Sequence, residues 1–130
     1  MAELHLDLVT PEKLVFSGPA TEILVPGFEG EFGVLPGHTI YLSLLRPGIA
    51  TVFGASGTRR FVVGRGFAEA GPERVVLLTD SCEPAEDVDK AAAQKALVAA
   101  ESVLEKAEPD TEAWAQARLQ ADMASARLQA

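Results

Sequence analysis

Residues 3–9 alternate strictly, with Leu4, Leu6 and Leu8 on one side and Glu3, His5 and Asp7 on the other. A period of two is the mark of a half-buried strand. Short β-rich runs follow at Ala20–Val25, Ile49–Phe53, Arg59–Val63 and Arg74–Thr79, punctuated by Gly18-Pro19, Pro36-Gly37, Pro47-Gly48, Ser56-Gly57 and Gly71-Pro72. Short strands at this spacing predict an antiparallel sandwich or barrel. No stretch between them is long and periodic enough for helical crossovers, which argues against a parallel sheet.

Past Pro84 the pattern changes period. Residues 85–106 contain no glycine or internal proline, and Glu86, Asp87 and Asp89 suit the positive end of a helix dipole, as Lys106 suits the other end. Pro109 breaks the run, and Asp110 or Thr111 can cap a second helix to about Gln129. The short connection predicts an antiparallel hairpin. On the first helix Ala93, Leu97, Ala100 and Leu104 form an apolar face. The second carries two stripes, Trp114/Ala117/Ala121/Ala124/Leu128 and Ala115/Leu119/Met123/Ala126. One stripe can meet the partner helix; the other can meet the sandwich or another subunit. Each buried CH₂ stabilises by about 0.8 kcal/mol, so alanine-rich faces dock weakly and the hairpin is expected to detach without unfolding the sandwich.

Composition sharpens the boundary. All 11 glycines lie in residues 1–71, and 15 alanines lie in residues 85–130 against 6 before them. The expected fold class is β + α: an antiparallel β-sandwich or barrel over residues 1–84, then a two-helix hairpin over residues 85–130. Hydrophobic residues make up 48% of the 130, enough for a packed core, but aromatics only 6%, so Val, Ile, Leu and Ala must build it. No apolar run approaches a membrane span. The net charge of −8 disfavours nucleic acid and anionic lipid as partners. Met1-Ala2-Glu3-Leu4-His5 has neither a basic-then-apolar leader nor transit-peptide character, which places the chain in the compartment of its synthesis. The single cysteine, Cys82, reads as a small packed filler in a reducing compartment.

Catalytic chemistry finds little purchase. His5 and His38 are the only histidines, and with one cysteine they cannot assemble a usual zinc or iron site. Gly27-Phe28-Glu29-Gly30-Glu31-Phe32-Gly33 lacks the Lys-Ser/Thr of a phosphate loop and no helix follows it. Glu29 and Glu31 read as solvated turn acids, and Arg59-Arg60 as a strand-end surface feature. A small barrel enzyme using His38 is the sharper alternative to His38 as a hydrogen-bonding loop residue.

Gly30-Glu31-Phe32-Gly33-Val34-Leu35-Pro36-Gly37-His38, followed by Leu42, Leu45 and Pro47-Gly48, resembles the signature of the epsilon subunit of bacterial F-type ATP synthases. Phe16-Ser17-Gly18, Gly64-Arg65-Gly66-Phe67-Ala68-Glu69, Leu78-Thr79-Asp80-Ser81 and Glu86-Asp87-Val88-Asp89 extend the resemblance across the chain. It implies a non-catalytic rotor subunit of the central stalk, without cofactor, whose flattened sandwich grips the gamma subunit and rests on the ring of c subunits. The hairpin would reach the alpha/beta catalytic head. The location implied is peripheral, on the cytoplasmic face of the bacterial inner membrane, with no lipid insertion. The implied interface comprises Gly30, Glu31, Phe32, Gly33, Pro36, Gly37, His38 and Leu42, its glycines allowing close approach and Pro36 stiffening the loop. A stand-alone sandwich adaptor with no role in ATP synthesis is the competing reading.

Two departures from the family bear on regulation. Some relatives bind ATP at the hairpin through Ile or Leu, Asp, two variable residues, Arg and Ala. Here Val88, Asp89, Ala92 and Ala93 occupy those places, with alanine where the arginine belongs. Losing a charge-assisted hydrogen bond removes roughly 1.5–3 kcal/mol, so weak or no ATP binding is expected. In other relatives a basic hairpin inhibits hydrolysis against acidic segments. Residues 83–130 here carry ten acids and five bases, so weak inhibition at most is expected.

Overall fold

The computed structural model describes residues 3–130; the reading of the N-terminus at Met1 and Ala2 lies outside the described residues. Ten strands precede two helices: β1 (Leu4–Val9), β2 (Leu14–Ala20), β3 (Glu22–Gly27), β4 (Gly30–Val34), β5 (Tyr41–Leu45), β6 (Gly48–Gly54), β7 (Gly57–Val63), β8 (Gly66–Ala70), β9 (Arg74–Thr79), β10 (Cys82–Pro84), α1 (Lys90–Lys106) and α2 (Glu112–Leu128).

The strands run β10-β7-β6-β3-β5-β8-β9-β1-β2, with β4 paired to β3. β3 and β5 meet at a single pair, Gly27 opposite Leu45, and there the sheet folds over into two layers. One layer is β5-β8-β9-β1-β2; the other is β10-β7-β6-β3 with β4. Thr21 N–H donates to Phe53 O at 2.7 Å and extends the β3–β6 ladder to the point where β2 turns into β3. Between the layers, Leu4, Leu6 and Leu8 of β1 meet Ile23, Val25, Val34, Phe61, Val63, Val75 and Leu77, all buried. Phe61 is the largest of these, and Phe16 packs its ring 5.7 Å from it.

The structure differs from the sequence reading in four respects. Ala20–Val25 is the end of one strand and most of the next, and Gly18-Pro19 lies inside β2 rather than breaking it. β2 pairs only with β1, so a proline there forfeits no ladder bond on the outer side. Gly30–Val34, Tyr41–Leu45 and Gly66–Ala70 are strands that their glycine content or exposed leucines had concealed. The sandwich is also not wholly antiparallel: β1 lies parallel to β9, Leu6 opposite Val75 and Leu8 opposite Leu77. Finally, α1 begins at Lys90. Ala85–Asp87 form a 3-10 turn, and Asp89 caps α1, its carboxylate accepting from Ala92 N–H at 3.0 Å. Thr111 rather than Asp110 caps α2, accepting from Trp114 N–H at 3.3 Å.

α1 packs against α2 through Ala93 and Ala100 on one side and Ala117, Ala121 and Ala124 on the other. The second stripe of α2 serves the sandwich, and only toward its C-terminal end: Ala126 is buried, Met123 half-buried, Ala115 exposed. There α2 meets β6 and β7. Arg127 Nε donates to Glu83 Oε1 at 2.9 Å, and Arg60 donates to Gln129 O at 3.0 Å. The hairpin is docked, by a narrow footing.

Candidate protein-docking face

The layer β5-β8-β9-β1-β2 turns one face to the core and the other away from both the core and the hairpin. Strand register fixes which side chains stand in line on that outer face. Leu44 lies opposite Phe67, Phe67 opposite Leu78, Leu78 opposite Val9, and Val9 opposite Leu14. Five strands therefore each contribute one apolar side chain to a single row. The row is uncovered: Leu44 is 62% exposed, Phe67 42%, Leu78 43% and Leu14 56%. Leu42 (61%) stands beside Leu44 on β5, and the turn that carries exposed Phe28 (67%) is tied to that strand, Phe28 N–H donating to Leu44 O at 2.8 Å. Scattered exposed leucines are ordinary; a contiguous apolar patch on a water-soluble surface marks a place where another molecule sits.

The next row is mixed: Leu42, Glu69, Val76, Asp7 and Ser17, each opposite the next. At its far end Asp7 holds a polar clamp across three strands. Ser17 donates to Asp7 Oδ1 at 2.7 Å, His5 Nε2 lies 3.1 Å from both, and Arg74 reaches Asp7 Oδ2. The Ser17 hydroxyl holds the Asp7 carboxyl below its ordinary value, Arg74 and His5 adding to this while burial works the other way. Serine, histidine and aspartate are all present but not in relay, because the Ser17 hydroxyl donates its hydrogen bond to Asp7 directly and one histidine nitrogen faces both partners. The cluster bonds β2, β1 and β9 together and marks the polar limit of the apolar face.

The eight interface residues expected from sequence do not form one surface. Gly30, Glu31 and Gly33 lie on β4, opposite Gly27, Pro26 and Leu24. Glu31 borders a cleft beneath α2 that Arg46, Arg118 and Asp122 also line. Phe32 turns inward against the core and meets Tyr41 edge-on at 5.2 Å. Pro36, Gly37 and His38 form a turn at the other end of β4, tied down by Gly37 N–H to Pro72 O at 2.8 Å. Gly30 and Gly37 do take positive φ, 135° and 87°, whereas Gly33 is ordinary strand. His38 Nδ1 lies 2.6 Å from Thr39 O and its ring leans on Tyr41. Leu42 alone stands on the uncovered face. Phe28, Leu44, Phe67, Leu78, Val9 and Leu14 were not among the residues expected. Their signal was present as outward-pointing apolar residues on alternating strands, but it needed the register to become a row.

Of the degenerate nucleotide motif, Asp89 is engaged as the α1 cap, Ala92 is exposed, Ala93 is buried against α2 and Val88 is half-buried. Cys82 is half-buried against the core, and burial, followed by Glu83, pushes its thiol up to about 11. Among the described residues no group of three or more His, Cys, Asp or Glu could hold a metal ion.

Residues 3–85 match the family described as ATP synthase, Delta/Epsilon chain, beta-sandwich domain. The ATP synthase epsilon chain of Nitratidesulfovibrio vulgaris (strain DP4) is 44% identical over 127 residues, 96% of this chain and 94% of that one. The epsilon chain of Afipia carboxidovorans is 40% identical over 112 residues, 86% of this chain and 82% of its own. Among solved structures, a chain of the Euglena gracilis mitochondrial ATP synthase, OSCP/F1/c-ring in rotational state 1, superposes with a TM-score of 0.85 at 27% identity, covering 96% of this chain and 79% of that one. A chain of the Tetrahymena thermophila mitochondrial ATP synthase central stalk and c-ring shares the fold, with a TM-score of 0.66 at 15% identity and 96% coverage of both chains.

Proposed function

Since the chain belongs to the delta/epsilon family of ATP synthase subunits, we propose that it is a non-catalytic rotor subunit of the central stalk whose β5-β8-β9-β1-β2 outer face is seated on gamma. The observation that carries this reading is the apolar row Leu44, Phe67, Leu78, Val9 and Leu14. Fully covering a large apolar side chain contributes about 1.5–3 kcal/mol, so five such groups with Phe28 and Leu42 are enough to hold a subunit while it turns. The face belongs to a sheet braced by the Asp7 clamp, and a pre-formed surface loses little entropy on docking.

The c-ring contact falls to the turns at the sandwich ends, where Pro36, Gly37 and His38 are held by Pro72 and where Gly30 leads into Glu31 on β4. Gly30 and Gly37 in these turns take the positive φ that favours glycine, which lets the backbone present itself closely to a partner. Torque then passes from ring to gamma through the sandwich. No helix among the described residues is long and apolar enough to cross a membrane. Attachment to the cytoplasmic face of a bacterial inner membrane accordingly runs through the ring and gamma. The hairpin, docked on β6 and β7, faces away from the gamma seat and can move without disturbing it. Its acidic character and its alanine at position 92 favour weak inhibition of the alpha/beta head and weak or no response to ATP. A stand-alone adaptor has no observation in its favour once the family is known.

Reconstitution tests the reading. The complex lacking this chain should hydrolyse ATP without pumping ions, and adding the chain back should restore coupling. A Leu44→Glu/Phe67→Glu variant that restored coupling as well as the natural chain would defeat it.

A further inference from the structure

At the edge of the apolar face lies a shallow hollow walled by Ile40, Val76 and the Gly71-Pro72 turn, with Glu69, Glu73 and Arg74 around it. The charges in it are not balanced. Arg74 is committed to Asp7. Glu69 and Glu73 have no ion-pair partner among the described residues. Glu69 is set within the apolar face itself, opposite Leu42 on one side and Val76 on the other, two residues from Phe67 on the same strand. Any surface that covers Leu42, Phe67 and Val76 also takes water from this carboxylate. An ionised carboxylate stripped of water without a partner is strongly unfavourable. Whatever covers the face must therefore bring a counter-charge.

We infer that the hollow seats one lysine or arginine side chain of the gamma subunit, its head between Glu69 and Glu73 and its methylene stem along Ile40 and Val76. This rests on the outer face being the gamma seat and adds to it a statement about what gamma must present. The shape fits: apolar walls suit a long aliphatic stem, and two carboxylates at the rim suit a cationic head. A second copy of this chain is a poor occupant, because its own net charge is −8. The pair also fixes orientation. The apolar row alone could slide along a greasy partner, whereas a cation held at one point on its edge sets the register in which the two subunits lock, and hence the angle at which torque is delivered.

The experiment is binding of the chain to the assembled complex from which it has been stripped, measured at low and high salt. Three variants are compared, Glu69→Gln, Glu69→Gln/Glu73→Gln, and Phe67→Glu. The glutamines keep shape and remove charge on an exposed surface, so circular dichroism and the melting temperature should be unchanged. The expected result is about tenfold weaker binding for the double variant at low salt, a smaller loss for Glu69→Gln, and a flatter salt dependence in both. Phe67→Glu should abolish binding. If Phe67→Glu fails to bind while the glutamine variants bind as the natural chain does, with the same salt dependence, the seat stands and the cation is refuted. If Phe67→Glu binds normally, the seat itself falls, and the cation with it.

Discussion

Arg127 of α2 and Glu83 of β10 face each other at 2.9 Å across the joint where the chain leaves the sandwich. Both side chains are more than a third exposed, so the pair contributes below about 1 kcal/mol. Arg60 on Gln129 O is a second polar tie across the joint. Replacing Arg127 by Gln is expected to raise amide exchange throughout α1 and α2 by about two- to fivefold while leaving β1, β7 and β9 unchanged. Equal protection of helices and strands in the variant would mean that the hairpin does not move as a unit.

Cys82 reports the same motion chemically. It shares a small cavity with Val62, Met123 and Arg127, so the docked hairpin covers it. With its thiol at about 11, only about one in a thousand molecules carries the thiolate at pH 8. Alkylation should be slow in the natural chain and faster in Arg127→Gln or after removal of residues 85–130. An unchanged rate in both would place the thiol's protection within the sandwich.

Gly66 of β8 faces Thr79 of β9, with no room beside it for a side chain. A Cβ there would lie 1.9 Å from Leu78 O and 2.8 Å from Thr79 Cα, both backbone atoms that cannot swing aside. At Gly64 the obstruction is instead the carboxylate of Asp80, at 2.1 Å, which can rotate. Gly66→Ala is expected to destabilise the sandwich by about 1–3 kcal/mol or more in urea unfolding, and Gly64→Ala by less. The reverse order would show that the strands shift more easily than the side chain.

The Asp7 clamp gives the fold an acid limit. Its carboxyl titrates lower in the folded chain than in the unfolded one, where the ordinary value is 3.8. The stabilisation is thus fully present above that value and is lost as the pH falls through the lower folded value. Asp7→Asn keeps an acceptor for Ser17 but cannot titrate, so its stability should vary less between pH 5 and acid. A parallel decline in both proteins would assign the acid sensitivity elsewhere.

At the start of α1, Asp89 accepts from Ala92 N–H, and residue 92 is an exposed alanine. Titration calorimetry should find no ATP binding in the micromolar range, and loss of residues 85–130 should raise hydrolysis by the assembled complex only slightly. Micromolar affinity or strong activation would restore a regulatory hairpin.

Alternation and helix periodicity carry far in this chain. Leu4, Leu6 and Leu8 point inward as their spacing predicts, and the alanine-rich, glycine-free stretch past Pro84 holds both helices. Strands rich in glycine were hidden because their residues are chosen for close backbone approach, as at Gly66, and not for β propensity. The exposed apolar row was hidden for another reason. Leu44, Phe67 and Leu78 are far apart in sequence, and only pairing shows them as neighbours; read singly, each passes for a core residue. Conversely, Phe32 lies within a conspicuous motif yet supports Tyr41 and the core.

β1 is a middle strand whose neighbour on one side, β9, is contributed by residues some seventy positions later. During synthesis the first strand must wait, its leucines uncovered, until Thr79 has emerged. Such distant pairing makes closure of the sheet slow. The hairpin follows every strand of the sandwich in the chain and takes part in none of the pairings that close the sheet. The order of elements along the chain thus lets the sheet close without waiting for the hairpin.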